Sequence, residues 1–95
     1  MKYTYFKELV KTLSLITSVK EMDDFLQGIL TPQELNEIPT RLQIVKMLKA
    51  GTPQHEIASK LGIGVATVTR GSKEIAKGRF GSITKKGWQP QNKGG

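Results

Sequence analysis

One stretch of this 95-residue chain has residue types and spacing that could do chemistry: residues 62–75, "GIGVATVTRGSKEI". Two glycines break the preceding helix. A new helix then opens on short, uncharged side chains, from Val65 and Ala66 to Thr67 and Thr69, and only afterwards carries Arg70, Lys73 and Lys77. A helix that enters the major groove of DNA needs its N-terminal end free of long or acidic side chains, so that its backbone can approach base edges. Helix N-termini also attract phosphate. The cations behind fit backbone or ligand contacts. The plain alternative is that Thr67 and Thr69 are ordinary surface threonines.

Other chemistries find little support. There is no Cys, which removes thiolate metal sites, Cys nucleophiles and disulfides. The one His, His55, stands at a predicted helix N-terminus, a place that favours anions, with no acid–base partner nearby in sequence. "GIG" lacks the Lys and the strand of a phosphate loop. No metal-ligand spacing occurs, so neither an enzyme nor a metal protein is expected.

Charge points the same way. Residues 1–39 carry four Lys against six Asp or Glu, a net −2; residues 40–95 carry eleven Lys or Arg against Glu56 and Glu74, a net +9. A basic half suits a polyanion partner, although a solvated basic surface with a basic tail would read alike. No apolar run approaches the ~20 residues that span a bilayer. Lys7, Glu8 and Lys11 interrupt any signal-peptide core. No membrane partner is expected, and the Cys-free composition is compatible with the cytoplasm.

The elements that must position these residues read all-α, as six short helices. Phe6, Leu9, Val10, Leu13 and Ile16 recur at helical spacing and predict a helix over roughly 3–17. Ser18 and Glu21 form a capping-box pair ahead of Met22, Phe25, Leu26 and Ile29, a second helix ending near Gly28–Leu30. Thr31, Pro32 and Glu34 are a stronger start signal for a third, which Pro39 should cut short by biasing Ile38 away from the α region. Thr40 can cap a fourth, carrying Leu42, Val45 and Leu48 and ending at Gly51. Thr52-Pro53 opens a fifth over about 53–60, with Ile57, Ala58 and Leu61 inward and Gly62 as its stop. The sixth spans about 64–77 and buries Val68 and Ile75.

Residues 53–77 thus form a helix-turn-helix. Ala58 is small enough for a close crossing, and Gly62 allows the positive φ of a sharp turn. Helix–Gly–helix pairs also occur in plain bundles. From residue 78 the composition shifts to five Gly, one Pro, four cations and no acid, which predicts a mobile basic tail, either a DNA-touching arm or a disordered end. The domain is therefore 1–77 and the tail 78–95. A chain this short buries limited apolar surface, and oligomerisation is one usual remedy.

The run "LTPQELNEIPTRLQIVKMLKAG" followed by "QHEIASKLGIGVATVTRGS" resembles the tryptophan operon repressor family over about residues 26–77. The most specific parts are "LTP", "TR" at 40–41 and "GVATVTRGS". The resemblance implies an intertwined all-helical homodimer that binds palindromic operator DNA when loaded with L-tryptophan as co-repressor; the docking geometry is carried over from the family. The DNA-binding residues it implies, together with the helix reading above, are Gln54, His55, Lys60, Val65, Ala66, Thr67, Thr69 and Lys73. For the ligand it implies that Arg41 and Arg70 sandwich the indole, as guanidinium planes stack on aromatic faces. Thr31 and Arg70 would hold its carboxylate, carbonyls near Gly28 and Leu30 would face its ammonium, and Gly71 would leave room. By themselves, Arg41 reads as a surface cation and Arg70 as a phosphate contact.

Three departures stand out. Glu74 replaces a serine that helps bind the ligand amine, so it either pairs the ammonium or signals a different effector. Ala58 replaces a basic DNA-contacting residue, which shifts phosphate binding towards His55, Lys60 and the tail. The Gly-rich tail replaces a C-terminal helix that helps the family's dimer.

Overall fold

The computed structural model describes residues 2–90. It contains α1 (Tyr3–Leu15), α2 (Val19–Ile29), α3 (Pro32–Lys49), α4 (Gln54–Leu61), α5 (Val65–Ala76), β1 (Ile83–Thr84) and β2 (Gly87–Trp88). The chain divides between Asn36 and Glu37 into two compact units, with α3 running through the division.

In the first unit the caps follow the sequence. The Glu21 N–H donates to Ser18 Oγ at 3.2 Å and starts α2. The Glu34 N–H donates to Thr31 Oγ1 at 3.1 Å, while the Thr31 N–H donates to Glu34 Oε1 at 2.9 Å. That reciprocal pair satisfies two orphan donors at the head of α3. Neither α1 nor α2 contains a buried residue. Phe6 and Val10 are about half exposed, and Leu15 and Val19 more so.

The expected six helices are five, because α3 continues through Pro39. Pro39 has no N–H to give Leu35, and its ring crowds that carbonyl, which together cost about 3 kcal/mol. Both flanks are fixed independently: the Thr31–Glu34 box holds one end, and Ile44 and Val45 are buried at the other, 1% and 4% exposed. Helix on either side therefore outweighs the local penalty. Thr40 consequently lies inside α3 rather than at a cap.

The second unit has its core in Ile44, Ile57 and Val68, one residue each from α3, α4 and α5. Burying side chains of this size stabilises by roughly 1.5–3 kcal/mol each. Met47, Leu48, Ala58, Leu61 and Ile63 pack around them; Ile75, expected inside, is half-buried. Pro53 is the N-cap of α4 rather than its first helical residue. α4 ends at Gly62, whose φ of 65° is left-handed. The Ile63 N–H donates to Ala58 O at 3.0 Å and the Gly62 N–H to Ser59 O at 3.3 Å, the double reversal that glycine permits after a helix. That turn returns Ile63 to the core and launches α5 at Val65.

Beyond α5 the segment expected as a tail holds a small hairpin. Gly78 (φ 95°) reverses the chain, with the Arg79 N–H donating to Glu74 O at 3.2 Å. β1 pairs antiparallel with β2, Ile83 opposite Trp88 and Thr84 opposite Gly87, and the Gln89 N–H donates to Ser82 O at 2.6 Å. Ile83 is buried. Two-residue strands are too short to show a period-two pattern. Residues 91–95 of the expected tail lie outside the described residues.

Candidate functional site

α5 presents two faces with different chemistry. On one, Val65, Ala66 and Lys73 are exposed and Thr69 is half-buried. The Thr69 hydroxyl donates to Gln54 Oε1 at 2.7 Å and lies 3.1 Å from the Val65 carbonyl. Thr69 and Gln54 thus tie α5 to α4 and fix the angle between them. His55 and Lys60, on α4, are exposed. Gly64, the extended N-cap of α5, offers no side-chain cap, and the first turn carries no acid. The leading amides of α5 therefore keep their positive potential for an outside anion.

The other face of α5 closes a cleft of about 120 Å³ against α3. Arg41 from α3 and Arg70 from α5, far apart in sequence, both line it. Ile44 and Val45 supply an apolar wall. Thr67, grouped by sequence with the DNA-facing residues, lines this cleft too. Gly71 is on the same side. A Cβ there would stand 3.2 Å from Ile44 Cγ2 and 3.5 Å from Leu48 Cδ1. Its lack of a side chain lets α5 approach α3 closely, and so brings Arg70 to the cleft.

The charges are unevenly committed. Arg41 Nη2 is 3.9 Å from Glu37 Oε2, with both side chains about half exposed, 52% and 43%; such a pair holds weakly. Arg70 forms no ion pair among the described residues. Glu74 is well engaged. Lys77 Nζ donates to its Oε2 at 2.9 Å and Arg79 Nε to its Oε1 at 3.0 Å. The Lys77 hydrogen bond, opposed by partial desolvation and aided by the Lys77 charge and by Arg79, holds its carboxyl below the usual carboxylate range. The cleft thus offers two available guanidinium groups and a carboxylate already neutralised.

Phe80 also lines the cleft. Sequence reasoning missed it, since one aromatic in a Gly-rich stretch carries no periodic signal. Its φ of 63° is left-handed, a conformation that costs a non-glycine residue roughly 1–2 kcal/mol. Leu30 and Thr31 belong to the other compact unit. The Thr31 hydroxyl oxygen there serves the α3 cap, and Leu30 is the C-cap of α2. Among the described residues, no three His, Cys, Asp or Glu side chains cluster as metal ligands, and no helix is long and apolar enough to cross a membrane.

Comparison with known proteins places this helical chain among transcriptional repressors. A family model described as Trp repressor protein matches residues 4–82. A "Trp operon repressor homolog" of Vibrio vulnificus is 35% identical over 75 residues, covering 78% of this chain and 74% of the relative. Proteins of the same name from Xylella fastidiosa and Actinobacillus succinogenes are 34% and 36% identical, covering 74% and 72% of this chain and 77% and 68% of the relatives. No solved structure matches. The chain belongs to the Trp repressor family.

Proposed function

We propose that this protein is a sequence-specific DNA-binding transcriptional repressor, active as a homodimer and gated by L-tryptophan as co-repressor. One observation carries the ligand reading: Arg41 and Arg70 line a single cleft with an apolar wall. Guanidinium planes stack on an aromatic face, and Arg70 can also hold a carboxylate through its donor fork. Leu30, Thr31, Gly71 and Glu74 are the further ligand contacts that the family resemblance implies.

The DNA reading rests on α4 and α5 acting as a helix-turn-helix. Val65, Ala66, Thr69 and Lys73 would meet the major groove, with Gln54, His55 and Lys60 at its edge. Ligand in the cleft would bias how α5 is held against α3, and so the spacing of two reading heads in a dimer. The exposed apolar residues of α1 and α2 support dimerisation, because helices with no buried residue lack the packing that usually stabilises them.

Gel shift against operator DNA with and without L-tryptophan tests the gate, and a steep fall in affinity with salt tests the electrostatic footprint. Equal binding in both conditions removes the co-repressor and leaves the DNA claim. Glu74 supports a second reading, a helix-turn-helix regulator with a different small-molecule effector or none. Calorimetry showing heat with another amine or indole and none with tryptophan selects it.

A further inference from the structure

We propose that Phe80 determines which effectors the Arg41–Arg70 cleft admits: its ring takes up room that a bicyclic aromatic effector needs, so such an effector binds by displacing it. This rests on the reading of the cleft as an effector site.

The cleft that Phe80 lines is open on one side and measures about 120 Å³. A dry cavity of about 150 Å³ suits a ligand the size of benzene. An indole with an amino-acid backbone needs more, and Phe80 is the one large apolar lining residue outside the helices. Ile44 and Val45 are buried core residues on a long helix, and Gly71 is fixed by its approach to Ile44.

Phe80 is also held weakly. It belongs to no helix or strand but to a strap between Gly78 and the hairpin. Arg79, the residue before it, is tied to Glu74 at 3.0 Å. The Phe80 carbonyl accepts from the Ile83 N–H at 3.1 Å, and Ile83 is buried. Between those two anchors Phe80 is left-handed, a strained state for a bulky side chain. The Arg79 guanidinium is two-thirds exposed, so this ion pair is a weak latch. Displacing Phe80 with its strap relieves the strain at the expense of one exposed pair, a half-buried ring and the backbone hydrogen bonds from Arg79 N–H to Glu74 O and from Ile83 N–H to Phe80 O.

Glu74 thereby acquires a role as a positioning residue. It acts through Arg79 on Phe80, with its own charge already matched by two cations.

The test is calorimetry with two probes, L-tryptophan and free indole, on the wild-type protein and on Phe80→Ala, Phe80→Leu and Glu74→Gln. Indole needs only room, while L-tryptophan also needs the amino-acid contacts. Removing a half-buried ring should tighten binding roughly tenfold in Phe80→Ala. Phe80→Leu, which keeps an apolar anchor, should gain less, and Glu74→Gln should loosen the latch and move the same way. Circular dichroism establishes that each variant is folded. If L-tryptophan binds wild type and both Phe80 variants equally, the Phe80 proposal falls while the co-repressor reading stands. If neither wild type nor Phe80→Ala takes L-tryptophan, but Phe80→Ala alone takes indole, the Phe80 proposal stands and tryptophan is not the effector. If neither probe binds any variant, both are overturned.

Discussion

Replacing Gly62 by Ala isolates the cost of the elbow that aims α5. A Cβ built at Gly62 meets no heavy atom within 4 Å, so steric crowding contributes nothing. What remains is the backbone: φ 65° and ψ 39° are left-handed. An L-residue there costs roughly 1–2 kcal/mol, and the lower entropy of the unfolded Ala chain returns about 0.4–1. The net loss should be about 1 kcal/mol, which for a domain of this size lowers Tm by about 4–8 °C. Gly81 is the control, since it too has open space around its Cβ but an ordinary φ. Gly81→Ala should stay within about 0.5 kcal/mol of wild type. Thermal melts by circular dichroism at one fixed protein concentration make the comparison, because a dimer's Tm moves with concentration. Equal melting of the two variants would refute the argument that conformation, rather than space, requires glycine at 62. A loss above about 3 kcal/mol would mean that the elbow is crowded after all.

Three further outcomes follow from the same contacts. Arg70→Ala should abolish the tryptophan dependence of operator binding in a gel shift while leaving the helical spectrum unchanged, because Arg70 is exposed and unpaired among the described residues. An unchanged response would count against the cleft. Ile57 is 0% exposed between Ile44 and Val68, so Ile57→Ala should cost about 3 kcal/mol, read as a lower urea midpoint at constant m. Glu74 has its carboxyl held low by Lys77 and Arg79. Its pairing therefore contributes stability above the unfolded-state value of about 4.3 and loses it as pH falls through the lower folded-state value. The stability gap between wild type and Glu74→Gln, measured by denaturant titration across that range, should be small at neutral pH and close in acid; a gap constant with pH would remove the electrostatic account of the strap.

Much of the scaffold was written in local signals. Ser18–Glu21 and Thr31–Glu34 cap helices as their spacing predicts, and Gly51 and Gly62 end them with positive φ. Such signals act over one turn, where backbone donors must find partners at once, so neighbouring residues suffice to read them. The same local rule misleads at Pro39. Its penalty is local, but the packing of Ile44 and the capping of Thr31 that outweigh it come from either side. The strand pairing of Ile83 with Trp88 left no trace either, because two residues cannot show an alternation.

The sequence by itself determined the helix caps, the elbow at Gly62 and the basic second half, all of which follow from neighbours along the chain and from summed charge. It also marked Arg41 and Arg70, but through their family motif. Only the tertiary structure decided that the two arginines share one cleft, that Gly71 is the point where α5 meets Ile44, that Thr67 turns to the cleft, and that Glu74 is spoken for by Lys77 and Arg79. It alone brought Phe80 into the site. The reason is physical: a cleft is made by side chains from separate elements meeting at fixed distances. Those distances are set by packing of the whole core rather than by spacing along one helix.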